Sequence, residues 1–130
     1  SFSTNYKTLP NLTLGYNFSV NDNFSDVIYV DSPTVTLEYF FLDAFSFVSE
    51  YSYYHNRNKS NTIDSEYDFL TASLMYQKKD SKWEWKLSGT NLLDTKSLDT
   101  NSFSQLGGTS TFSSYRVQPR FVILSLKYRL

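Results

Sequence analysis

The chain has no cysteine, which rules out a disulfide framework and any thiolate metal site. A single histidine, His55, excludes sites built from several imidazoles, and at the sequence level it reads as a residue of an exposed loop. With one such histidine no His/Asp pair or His-based metal centre is expected. Three prolines and four glycines are few for 130 residues, so breaks between elements must come from Asn, Asp and Ser. No apolar run approaches the roughly 18 residues of a membrane helix; the best is Phe121-Val-Ile-Leu-Ser-Leu126. Charge of one sign is absent too. Lys and Arg (12) nearly balance Asp and Glu (13), which leaves no basic stripe for nucleic acid and no acidic tail.

What is present is an odd pairing. Aromatics make up 18% of the residues, with eleven Tyr and eleven Phe, yet Ser, Thr and Asn together supply about a third of the chain. Disordered chains are poor in aromatics, so a chain this aromatic and this polar is expected to fold with two well-separated faces. The alternation along the chain says how. Leu12, Leu14, Tyr16, Phe18 and Val20 alternate without a break with Asn11, Thr13, Gly15, Asn17 and Ser19. Trp83, Trp85 and Leu87 alternate with Glu84, Lys86 and Ser88, and Val122, Leu124, Leu126 and Tyr128 with Ile123, Ser125 and Lys127. Weaker copies run through Val35-Leu37-Tyr39-Phe41, Phe47-Tyr51-Tyr53 and Leu70-Ala72-Leu74-Tyr76. A period of two puts successive side chains on opposite faces of a strand, and no stretch shows a helical stripe.

Seven strands are expected, at about 2–8, 11–21, 27–42, 46–57, 66–78, 82–92 and 117–130. They are longer than the usual globular strand of roughly 5–6 residues and suit the tilted strands of a membrane barrel, about 9–11 residues plus extensions. Tight connections near Leu9-Pro10, 42–45 and 79–81 alternate with longer Ser/Asn/Asp-rich links at 21–26, 57–65 and 94–116. Short turns on one side and long loops on the other are the arrangement of outer-membrane barrels, and counting back puts the C-terminus on the short-turn, periplasmic side. Tyr39, Phe41, Phe47, Tyr76, Trp83, Trp85 and Tyr128 then gather near that side, while Tyr53, Tyr54, Tyr67, Phe69 and Tyr115 gather near the external one. Such belts of rings suit the two headgroup levels of a bilayer. Leu12, Leu14, Tyr16, Leu74, Leu87, Leu124, Leu126 and Tyr128 are expected to face lipid. Glu38, Glu50, Glu84, Lys86, Ser125 and Lys127 are expected to face the lumen in a network of charges and hydrogen bonds. A soluble β-sandwich is the competing reading.

Asn91-Leu-Leu-Asp-Thr-Lys96, after a Trp-bearing strand, resembles the turn near the end of TonB-dependent receptors. Val117-Gln-Pro-Arg120 leading into Phe121–Leu130 is similar to the last strand of the Bacteroidota branch, the SusC-like and carboxypeptidase-regulatory-domain receptors. The close match spans about residues 82 to 130, and Leu130 stands where the family carries an aromatic. This resemblance implies an antiparallel transmembrane barrel of roughly 22 strands, of which residues 1–130 would be the C-terminal part. It also implies an N-terminal plug, a periplasmic energising protein, a surface lipoprotein partner, and import of a ligand across the outer membrane. The start at Ser1 without a signal peptide fits a processed product or a piece of something longer.

No enzyme is expected. Outer-membrane hydrolase barrels use Ser/His or Asp/His arrangements, and no spacing here fixes a pair of acids for hydrolysis. Asp94, Asp99 and Asn101 lack the EF-hand pattern, and Gly107-Gly108 reads as a hinge. The sequons at Asn11, Asn17, Asn23 and Asn58 are incidental in a chain so rich in Asn, Ser and Thr. No cofactor is expected. If a ligand is touched, Tyr54, Asn56, Asn58, Phe103, Gln105 and Tyr115 are the candidates at the external mouth. Two rival functions are a scaffold barrel without transport and a soluble ligand-binding barrel of lipocalin type, which would partition into the aqueous phase.

Overall fold

A computed structural model of the chain describes residues 1–7, 9–23, 26–60, 64–104 and 109–129; within these, side-chain surroundings are not described at 23, 26 and 97–115. The described residues form strands and connections, with no helix. Seven strands make one antiparallel sheet: β1 (Phe2–Ser3), β2 (Asn11–Asn23), β3 (Asp26–Phe41), β4 (Phe45–Asn58), β5 (Asp64–Gln77), β6 (Trp83–Thr90) and β9 (Phe121–Tyr128). The spatial order follows the chain, and β1 and β9 lie at opposite edges without a ladder between them. The sheet is open, as expected for strands that do not close on themselves.

Between β6 and β9 the chain makes a hairpin of its own, β7 (Ser97–Ser104) with β8 (Thr109–Arg116), paired as a separate two-stranded sheet. The expectation of one long loop over 94–116 is therefore wrong. Its text, Ser-Leu-Asp-Thr-Asn-Ser-Phe-Ser, is polar on both faces, so a pattern of apolar alternation cannot find it. Two further corrections concern the ends. Of the expected first strand at 2–8, Phe2–Ser3 form strand and the described residues 4–7 do not, although Thr4 N still donates to Leu12 O at 2.9 Å; residue 8 lies outside the described residues. Thr4 Oγ1 accepts from Leu12 N at 2.8 Å, and Asn11 Oδ1 accepts from Tyr6 N. The link expected at 21–26 is mostly ladder, with Asn23 opposite Asp26, so the strict alternation of short and long connections does not hold there.

The tight turns have identifiable chemistry. Leu42 and Asp43 are both left-handed (φ 54° and 52°), the hairpin geometry that matches strand twist, and Ala44 N donates to Phe41 O. Asp80 (φ 71°) is left-handed in the turn closed by Ser81 N to Lys78 O at 3.1 Å. Inside β3, Pro33 has no N–H to donate, and the β3–β4 ladder passes from Asp31↔His55 to Thr34↔Ser52 without pairs at the two positions between.

Among the described residues no core lies inside this fold: Ala44 is the one buried apolar side chain, and Val122, Leu124 and Leu126 are 60–65% exposed. The accessible surface is 9671 Å² for 15.1 kDa. A compact globule of that mass would show roughly 7,000 Å². A single-layer sheet accounts for the excess.

Candidate functional site

Directly opposed residues in a sheet share a face, so the registers sort every strand position. On one face three long rows cross the sheet. Phe41–Phe45–Tyr76–Trp85–Leu126 is the first, and Tyr39–Phe47–Leu74–Leu87–Leu124 is the second. The third, Leu12–Leu37–Ser49–Ala72–Gly89–Val122, carries small residues at its centre. Leu92 lies over that centre, where a Cβ on Gly89 would come 2.7 Å from Leu92 Cδ2. Trp83 opposite Tyr128 lies below, and Phe2–Leu14–Val35–Tyr51–Leu70 above. All eight residues expected to face lipid lie on this face. So do all seven aromatics expected in the lower belt.

Ring contacts hold the lower rows together. Phe41–Phe45 are 5.3 Å apart, Phe45–Tyr76 5.0 Å, Tyr76–Trp85 5.7 Å and Trp83–Tyr128 4.8 Å between centroids. Such pairs add about 0.5–1.5 kcal/mol each beyond their burial. They lie beside the tight turns and the end of β9, as the strand order predicts.

Towards the other end of the same face the chemistry changes. Phe18–Asp31–His55–Glu66 form one row, and Val20–Tyr29–Arg57–Asp64 the next. Tyr16 Oη donates to Asp31, Arg57 pairs with Asp31 at 3.3 Å, and Tyr51 Oη donates to Asp68 at 3.3 Å. His55 Nε2 lies 2.7 Å from Asp64 Oδ1 and 3.7 Å from Glu66 Oε1. The expectation of a loop histidine without an acidic partner is overturned: His55 sits inside β4, and cross-strand pairing brings two carboxylates to its ring. The signal was the antiparallel register, which sets Glu66 directly across from His55.

The opposite face is mixed. It carries Glu38, Glu50, Glu84, Lys86, Ser125 and Lys127, as expected, with Phe40, Val48, Met75 and Ile123 among them. Glu84 accepts from Gln77 Nε2 at 3.0 Å, lies 3.7 Å from Lys127 Nζ and pairs with Arg129. Higher on this face Tyr54 stacks on Tyr67 (5.1 Å), and Phe69 meets both edge-on. These three rings were expected near the strand ends that meet the 57–65 link and lie toward that end of the sheet, although the register sets them across the sheet from Tyr53. Asn56 Nδ2 reaches Tyr67 Oη at 3.4 Å, and Asn58, 5% exposed, donates to Ser60 Oγ at 2.8 Å. Beside them is a notch at Gly15, bounded by Asn17, Ser32, Thr34 and Tyr54. Ring faces and amide groups gathered this way can stack on and hydrogen-bond to a ligand with planar or ring-shaped parts. Of the other mouth candidates, Gln105 lies outside the described residues, and the side chains of Phe103 and Tyr115 do too.

The Asn91 turn has a geometry that sequence reasoning missed. Asn91 is left-handed (φ 51°) and 2% exposed. Its Nδ2 donates to Thr95 O at 2.9 Å and Gln118 O at 2.8 Å, and its Oδ1 accepts from Thr95 N at 3.0 Å. One side chain thus fastens the base of the 97–116 hairpin between β6 and β9. Asparagine is suited to this because it tolerates left-handed backbone and both donates and accepts.

No protein family, curated protein or solved structure matches the chain.

Proposed function

We propose that the chain is a section of the wall of an outer-membrane β-barrel in a Gram-negative bacterium, and that the barrel imports a ligand as TonB-dependent receptors do. The observation that carries the reading is the sheet without a core. Among the described residues no apolar layer covers its apolar rows; another apolar phase would cover them, and lipid does so without a second layer of protein. The rows run between the Trp/Tyr/Phe end and the charged end, about 27 Å along strands that rise roughly 3.3 Å per residue. Tilted by the roughly 35–45° of barrel strands, that run spans about 19–22 Å of height, most of an apolar band of about 25 Å.

In this reading the two open edges are closed by further strands, because a backbone edge bare to lipid leaves N–H and C=O groups unpaired at several kcal/mol each. A plug, a periplasmic energising protein and a surface lipoprotein are the partners that the resemblance implies. The mouth residues Tyr54 and Asn56 contact the ligand in passage, whereas Asn58, buried against Ser60, holds the rim; the chain does no chemistry of its own.

Fractionation tests the wall reading. The intact protein should stay in the outer membrane through a carbonate wash and need detergent for release; recovery from the aqueous phase would overturn it. A plug domain with its energising segment in the same gene separates a transporter from a scaffold barrel.

A further inference from the structure

The rows above the apolar band carry groups that neither wall-building nor transport requires. His55 Nε2, an Asp64 carboxylate oxygen and a Glu66 carboxylate oxygen all lie within 4.8 Å of one another. Three features make this more than a solvated cross-strand pair. First, the ligand set is one imidazole and two carboxylates, supplied by adjacent strands whose ladder runs unbroken from Phe45↔Tyr76 to Arg57↔Asp64. The scaffold is therefore a strand pair and not a loop.

Second, the spacing suits a small divalent ion. Ligands bonded to zinc at about 2.0–2.2 Å stand roughly 3.3–3.5 Å from each other in a tetrahedron. The distances of 2.7 Å and 3.7 Å from His55 Nε2 bracket that range, so modest side-chain rotations would admit the ion. Asp64 and Glu66 are 68% and 60% exposed, whereas His55, at 21%, has its ring against Tyr53. Third, positive charge is short here. Asp64 and Glu66 sit two apart on one face of β5, and Asp31 lies across from His55 on the other side. Arg57, the register partner of Asp64, turns its guanidinium to Asp31 at 3.3 Å and over the Tyr29 ring at 5.9 Å. Two neighbouring carboxylates thus converge on one imidazole, an arrangement that a dication neutralises.

We propose that His55, Asp64 and Glu66 bind one divalent transition-metal ion of the zinc class at the outward face of the β4–β5 pair, leaving an open coordination position to water or an anionic ligand. The nitrogen ligand selects against magnesium and calcium, which take oxygen donors and higher coordination. Bound metal clips β4 to β5 where the aromatic contacts of the lower rows have given out. The proposal stands on these three side chains alone and is independent of what the barrel transports.

Titration calorimetry of the purified intact protein with zinc chloride, repeated with magnesium chloride, tests it. One zinc per chain is expected, with magnesium at the same concentration neither binding nor displacing it. His55→Gln and, separately, Glu66→Gln should each weaken zinc binding by about 10-fold or more. Zinc should also raise the denaturant midpoint of the unsubstituted protein, since a ligand that binds only the folded state stabilises it. That rise should shrink in both variants at the same zinc concentration. Both sites are on the surface, so if one variant fails to fold the other carries the same expectation. A protein that takes up no zinc, or variants that keep the original zinc affinity, would overturn the proposal.

Discussion

The lower and upper halves of the apolar face are built from the same strands and held by different forces. Below, Phe41, Phe45, Tyr76, Trp85, Trp83 and Tyr128 meet ring to ring. Above, Tyr16, Asp31, Arg57, His55, Asp64 and Glu66 meet through oxygen and nitrogen. The backbone ladder is continuous through both. What changes along a strand is therefore the kind of contact the side chains make, and the boundary falls near Tyr51 and Tyr53 on β4.

If the lower half faces hydrocarbon and the upper half faces water, one substitution should cost different amounts at two heights of a single strand. Leu74 and Glu66 share β5 and the same face. Leu74→Arg should cost about 2–4 kcal/mol of folding free energy in lipid, and Glu66→Arg about 0–1. Denaturant titration in bilayers measures both, and equal costs would erase the boundary. Next in size is Asn91→Ala, which leaves Gln118 O and the Thr95 backbone without the bonds that Asn91 makes. A loss of about 1–3 kcal/mol is expected in the same titration. A loss well below that would mean the hairpin base is held by its backbone alone.

Asp31→Asn should matter less, by roughly 0.2–1 kcal/mol, because surface ion pairs are weak even when well placed. Its effect should shrink further in high salt, whereas the cost of Leu74→Arg should not. The smallest change is expected in the turn. Leu42 is 78% exposed with a left-handed backbone. Leu42→Asn should raise stability by up to about 1 kcal/mol by relieving that conformation.

How much of this could be read in the sequence depended on contrast between faces. Asn11–Val20 alternates Leu, Tyr, Phe and Val with Asn, Thr, Gly and Ser, and β2 is where it was expected. The Ser97–Arg116 hairpin has little such contrast and was read as loop. Similarly, Arg57 and Asn58 end β4 and Lys59 and Ser60 turn, but all four are polar, so the text does not mark where the strand stops, and the same polarity makes His55 read as loop. The pairing of His55 with Glu66 follows from the register of β4 and β5, which depends on where the connection turns, and local text does not fix that. Asn91 was noticed within a motif, but its three bonds reach Thr95 and Gln118, one of them 27 residues away. Only the fold brings them together.

Single-cysteine scanning of β6 and β9 addresses the lipid-facing assignment most directly, since the chain has no cysteine of its own. Cysteines at Leu87, Leu124 and Leu126 should resist a charged, water-soluble maleimide in native outer membranes. Cysteines at Lys86, Ser125 and Lys127, on the opposite face of the same strands, should react. An alternation of period two along both strands is the expected result. Uniform labelling of all six, or protection on the Lys86–Ser125 face instead, would contradict a sheet whose apolar rows are covered by lipid.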